Sequence, residues 1–303
     1  MRRIIIDTDT ASDDAVAIIM AMRSPLFKVE AITVVAGNIP IDLACKNALI
    51  SVEKSNTYHA PVYKGASKPI DRKLHTAEFA HGLNGMGDIE LTEPKQKLED
   101  KHAVDAIIEL VAKYPYEIEL VAIGPLTNVA LAIKQNPNVM KKLKGIFVMG
   151  GNGLVEGNIT PYAEFNYYVD GLAAKIVSNF NITITQLPWH TCLEGVYVRD
   201  NDVTRISELN ELGKWVVDIN SSLIKYSNEN HNINGFVVCD AGIIALMIDP
   251  SIGTKYVEAS SDIVIDNEEH YGEQVTVDGK TNYNVCTNMS YERFVDLLIE
   301  LLE

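Results

Sequence analysis

Short β-branched runs alternate with segments of helical apolar spacing along most of this chain, and that alternation limits the fold more than any other feature. Residues 2–6 (RRIII) read as a strand, and DDAVAIIMAM after them reads as a helix. FKVEAITVVAG at 27–37 reads as a second strand, followed by a helix at 41–52 and a short strand at 61–64. Helix 102–113, strand 116–123, a turn at Gly124-Pro125, helix 126–135 and strand 145–149 repeat the pattern. Helix 169–178 then leads into strand 181–187, with helices at 208–227 and 240–248, a β-rich stretch at 255–286 and a final helix at 290–302. Parallel strands need a long crossover, usually a helix, so this order implies βαβ units. The expected fold is α/β, three layers (α/β/α) around a mostly parallel central sheet. No internal repeat, low-complexity tract or Pro/Ser linker interrupts the chain, so residues 1–303 are expected to form a single domain. Residues 65–101 are long, loop-like and Gly-bearing and include HGLNGMGD at 81–88; long loops in compact domains commonly carry function.

In such sheets ligands sit outside the carboxyl ends of the strands. Four polar clusters fall at that edge: Asp7–Asp14, Gly37-Asn38, Ile123–Asn128, and the chain from Gly150 onward. They are expected to converge. The first is the most demanding, because Asp7, Asp9, Asp13 and Asp14 occupy eight positions between two apolar runs. Like charges packed this closely repel, and burying them is costly unless something neutralises them. Asp7 and Asp9 point the same way in an extended segment, whereas Asp13 and Asp14 open a helix that Ser12 can cap and whose dipole favours negative charge. Helix-start roles would account for the second pair but not the first. Oxygen ligands without His or thiolate select a hard cation, and Ca²⁺ accepts more ligands and looser geometry than Mg²⁺. The spacing is not that of an EF-hand loop.

A formal net charge of -15 makes nucleic acid an unsuitable partner, since phosphate binding relies on clustered Lys and Arg. No segment reaches the length of a membrane span, and MRRIII meets Asp7 too soon to be a secretory signal. Cys45, Cys192, Cys239 and Cys286 form no CxxC pair, which fits neither a zinc site nor a disulfide framework and suits a reducing compartment. The expectation is a cytoplasmic protein without a membrane partner.

DTDT after an apolar strand resembles the first motif of the haloacid-dehalogenase phosphatases, but the second carboxylate pair is foreign to that motif and no strand ending in GDxxxD follows. The wider pattern resembles the inosine–uridine nucleoside hydrolases. DTDTASDDAVA at 7–17 matches the family's DxDxxxDDAxA, and VVAGN at 34–38, AIGPLTNVALA at 122–132, VMGG at 148–151 with GNITPYAEFNYYVD at 157–170, and VVCDAGIIALMIDP at 237–250 follow in the family's order. Five motifs in order cover most of the chain. The resemblance implies a calcium-dependent hydrolase of ribonucleosides giving ribose and free base, acting as a homo-oligomer (dimer or tetramer). It assigns Asp9, Asp14, Asp240 and the main-chain carbonyl of Ile123 to Ca²⁺, with Asp9 also deprotonating the attacking water. Asp13, Asn38, Asn158, Glu164 and Asn166 would hold the ribose, Met149 would line the sugar site, and Asp7 would support its neighbours. Cleaving an N-ribosidic bond develops positive charge on the sugar, which carboxylates and amide oxygens stabilise.

One position departs from the family. Many members carry His before the last metal Asp, where it protonates the leaving base, and here Cys239 stands there. A thiol substitutes poorly unless its pKa is tuned. His81, in a segment resembling the family's base-side HG loop, is the first candidate for activating the leaving group. Tyr226, His231 and the Trp189-His190 pair are the others. A non-catalytic nucleoside or sugar sensor that lost the acid at position 239 remains the alternative to the two enzyme readings.

Overall fold

The computed structural model describes residues 1–153, 155–231 and 234–303, with the side chain of His231 outside the described residues. Its strands are β1 (Arg2–Thr8), β2 (Phe27–Val34), β3 (Val62–Lys64), β4 (Ile118–Ala122), β5 (Gly145–Met149), β6 (Ile184–Leu187), β7 (Tyr197–Arg199), β8 (Gly235–Val237), β9 (Gly253–Ala259), β10 (Ser261–Ile263), β11 (Gln274–Thr276) and β12 (Tyr283–Met289). Eight of them form the central sheet in the order β3-β2-β1-β4-β5-β6-β12-β9. Every neighbouring pair is parallel except β12 with β9.

The isoleucines of β1 explain the layering. Ile4 and Ile6 enter one core and Ile5 the other, because successive side chains point to opposite faces of a strand. A strand buried on both faces reads as an unbroken apolar run, as Ile4, Ile5 and Ile6 do. Helices Ser12–Arg23, Ile41–Lys54, Cys239–Ile248 and Tyr291–Leu302 cover the Ile4 face. Helices Ala103–Lys113, Thr127–Gln135 and Gly171–Ser178 cover the Ile5 face. The α/β expectation therefore holds. Among the described residues no helix is long and apolar enough to cross a membrane.

The strand order also fixes where a ligand can sit. From β1 the chain builds outward to β2 and β3, then returns and builds the other way from β4. Connections leave β1 and β4 in opposite directions, which opens a crevice at their carboxyl ends. Asp7 and Ile123 stand on its two walls, joined where Ile123 N–H donates to the Asp7 carbonyl at 2.8 Å.

Some elements differ from the sequence reading. Strand 27–37 ends at Val34. The helix expected at 208–227 is three helices, Asp200–Leu209, Glu211–Ile219 and Ser221–His231. Asn210 causes the first break: its backbone is extended and its side chain accepts from Gly213 N–H at 2.9 Å, capping the second helix. The β-rich stretch at 255–286 divides between the central sheet and the separate β10–β11 hairpin, and β7 and β8 form a further antiparallel pair. Loop 65–101 contains a short helix at Glu78–His81.

Candidate active site

The aspartates at the end of β1 are each held differently. Asp7 Oδ2 accepts from Thr33 Oγ1 at 2.5 Å and from Asn128 Nδ2 at 2.9 Å, tying β1 to β2 and to the helix after β4. Asp9 Oδ2 accepts from Asn38 N–H at 2.6 Å. Asp14 Oδ1 accepts from Thr8 Oγ1 at 2.6 Å, and its Oδ2 accepts from Ala11 N–H at 2.9 Å and Asn38 Nδ2 at 3.3 Å. The backbone approaches Asp9 so closely that only glycine fits. A Cβ on Gly37 would lie 2.0 Å from Asp9 Oδ2, and one on Gly124 would lie 2.6 Å from Oδ1.

Above these aspartates lies a cleft lined by both polar and apolar groups. Asp13, Asn38, Asn158, Glu164, Asn166 and Asp240 supply polar lining, beside Ile123 and Met149. Asn166 Nδ2 donates to the main-chain carbonyls of Ile123 and Met149, each at 3.2 Å. Asn158 Oδ1 accepts from Phe165 N–H at 2.8 Å, and Glu164 accepts from the N–H groups of Gly151 (2.7 Å), Asn166 (3.0 Å) and Tyr167 (3.3 Å). His81, Phe79, Tyr226, Trp189, Leu223 and Cys239 also line the cleft, making an aromatic and apolar region.

Burial dominates the electrostatics. It pushes Asp7 and Asp14 up to about 7 and Asp13 up to about 6. Asp9 and Asp240 are raised well above the usual carboxylate range, by burial first and then by their carboxylate neighbours. Asp13, Asp14 and Asp240 each offer an oxygen within 4.8 Å of the others, the right closeness for ligands sharing one ion. Asp9 lies outside that trio, and Asp13, assigned above to the ribose, lies within it. Asp9 Oδ1 and Asp13 Oδ1 are buried without a hydrogen-bond partner. Among the described residues no Lys or Arg pairs with any of these aspartates; the basic group nearest them is His81, 3.8 Å from Asp13. A hard divalent cation would satisfy the orphaned oxygens and favour the ionised carboxylates, so the residues present fit such an ion.

The other expected residues divide. Tyr226 and Trp189 reach the cleft, whereas His190 is not among its lining residues and the His231 side chain lies outside the described residues. Cys239 reaches the cleft but is buried against Cys192, and burial pushes its thiol well above its ordinary value. Burial lowers His81 to about 4, leaving the ring neutral at pH 7. Ser12 does not cap its helix. Ala11 occupies the cap position, and the Ser12 hydroxyl bonds Nδ1 of His81 at 3.0 Å. Sequence reasoning missed Phe79, Thr33 and Thr8. Phe79 is 55% exposed beside the cleft, its ring 5.5 Å from that of Tyr226, and its place in a four-residue helix, Glu78–His81, gave no periodic signal.

A family model described as inosine-uridine preferring nucleoside hydrolase matches residues 4–296. The chain is 32% identical over 312 residues to the inosine-uridine preferring nucleoside hydrolase of Crithidia fasciculata, covering 100% of this chain and 98% of that one. It is 33% identical to a pyrimidine-specific ribonucleoside hydrolase of Escherichia coli over 90% of this chain and 87% of that one. The solved structure of a purine-preferring ribonucleoside hydrolase from Gardnerella vaginalis superposes with a TM-score of 0.93 at 27% identity, covering 99% and 98% of the two chains.

Proposed function

Because the chain belongs to the inosine-uridine preferring nucleoside hydrolase family, an N-ribosyl hydrolase family, we propose that it cleaves ribonucleosides to ribose and free base with a bound calcium ion. One observation carries this reading: buried carboxylates with orphaned oxygens stand under a cleft with polyol-type polar groups and an aromatic region. The phosphatase reading lapses with the family, and so does the non-catalytic one.

In the proposed reaction Asp9, Asp14, Asp240 and the Ile123 carbonyl would hold the cation, with Asp13 close enough to Asp14 and Asp240 to share in it or to bind the ribose. Such a cation, when bound, would lower the pKa of water and could fix a sugar diol. Asp9 orients the attacking water and takes its proton through the free Oδ1. Asn38, Asn158, Glu164 and Asn166 hold the ribose hydroxyls, and Met149 lines the sugar. Preorganised oxygens around the ring stabilise the positive charge that develops as the C–N bond lengthens. Tyr226, Trp189 and Phe79 supply a surface for the base, and His81 faces it. Cys239, as a buried thiol of raised pKa, serves here as packing rather than as the acid. We further read the whole chain as one domain acting in the cytoplasm as a homo-oligomer.

Reducing sugar released from a nucleoside panel, with and without chelator, tests the proposal. Release from ribonucleosides that stops on chelation is expected; phosphate release from esters without ribose release would contradict it.

A further inference from the structure

Ser12 is wholly buried, and among the described residues its hydroxyl makes a single hydrogen bond, to Nδ1 of His81. His81 lines the cleft, and its Nε2 bonds no described residue. The neutral ring carries one proton, on either nitrogen. The Asp13 carboxylate, 3.8 Å from Nδ1, is beyond hydrogen-bond distance and decides nothing. Counting hydrogens decides. If Nδ1 carried the proton, the Ser12 oxygen would accept it and the hydroxyl hydrogen would face no acceptor among the described residues in a buried site, which is costly. If the hydroxyl donates, Nδ1 is satisfied and the ring proton sits on Nε2.

We propose that Ser12 is a positioning residue that fixes His81 as the Nε2–H tautomer, so that the ring presents a hydrogen-bond donor to the departing base. This rests on the nucleosidase reading above. As the C–N bond breaks, its electron pair goes to the base and water oxygen bonds to the sugar carbon, its proton passing to Asp9. The base gathers negative charge on a ring nitrogen or carbonyl oxygen. Nε2–H donates to that atom and keeps its proton; the base takes its final proton from solvent. A neutral imidazole polarising an oxygen is an established mode of catalysis. This arrangement needs no acid at position 239, so it is compatible with a thiol there.

The test uses the full-length enzyme with ¹⁵N-labelled histidine, Ser12→Ala and Ser12→Thr variants, and kcat on uridine, inosine and p-nitrophenyl riboside. Long-range ¹H–¹⁵N correlation should show His81 as the Nε2–H tautomer, and Ser12→Ala should lose that signature. Its kcat on the natural nucleosides should fall about tenfold, the worth of one neutral hydrogen bond. Hydrolysis of p-nitrophenyl riboside, whose leaving group needs no help, should stay within twofold of the parent, and Ser12→Thr should restore both readouts. An unchanged tautomer in Ser12→Ala, or an equal loss on all three substrates, would overturn the role of Ser12 while leaving the nucleosidase reading intact. Failure of the parent enzyme to release ribose from any nucleoside would instead overturn that reading and the inference with it.

Discussion

Glu164 is held by three backbone N–H groups, yet complete burial outweighs them and pushes its carboxyl up to about 7. The sign of the consequence follows from linkage. A carboxyl whose folded pKa exceeds its unfolded value stabilises the fold fully below the unfolded pKa, and that contribution is lost as pH rises through 7. Urea unfolding of the metal-free protein should therefore show stability falling between pH 5 and pH 8. Glu164→Gln should remove a share of order 2 kcal/mol from that slope, read as the difference between the two pH profiles. An identical slope in the variant would contradict the burial argument. Cys239 gives a second prediction at this scale. Its replacement by Ala should lower kcat on inosine by less than about fivefold, since a buried protonated thiol is a weak donor. A large loss confined to natural nucleosides would identify the thiol as the acid after all. The residues proposed to carry the chemistry, such as Asp9, Asp14 and Asp240, stood out in the sequence by type and spacing. Those that act through a neighbour were not: Ser12 read as a cap because its partner, His81, lies 69 positions away.

At the scale of elements, the strands of the central sheet were legible because burial on both faces leaves a continuous apolar run, and the helices because their apolar positions recur. Boundaries set by side-chain hydrogen bonds escaped that reading, as Asn210 shows by splitting a helical stretch that periodicity treats as one. The antiparallel pair β7–β8 escaped because three-residue strands carry no period worth counting. The loops after β2 and β4 are the elements that shape the site, and each meets Asp9 through a glycine. Gly37→Ala should displace Asp9 and cut kcat on the order of a hundredfold, as an ångström of misplacement does in positioned chemistry. The circular dichroism spectrum should remain that of the parent. Full activity in Gly37→Ala would show that Asp9 need not sit where the loop holds it.

Across the whole molecule, the switch in strand order between β1 and β4 explains why four separated stretches of sequence meet in one place. Base preference is a different matter. Relatives of comparable identity are described as inosine-uridine preferring and pyrimidine-specific, and a solved neighbour as purine-preferring, so the shared architecture does not select a base. The ribose side is more constrained. A site built to hydrogen-bond a hydroxyl rejects the analogue lacking it, so kcat/KM for deoxyuridine should fall below that for uridine by at least about a thousandfold. Comparable values would overturn the sugar-reading role proposed for Asp13 and Asn166. The central claim is that buried aspartates at the β1–β4 crevice hold a calcium ion required for nucleoside cleavage. Its most direct measurement is calcium titration of chelator-treated protein by calorimetry, with ribose release followed in parallel. The account predicts one calcium per chain, activity regained in proportion to the sites filled, and neither in Asp14→Ala. Full ribose release from protein that binds no calcium would contradict it.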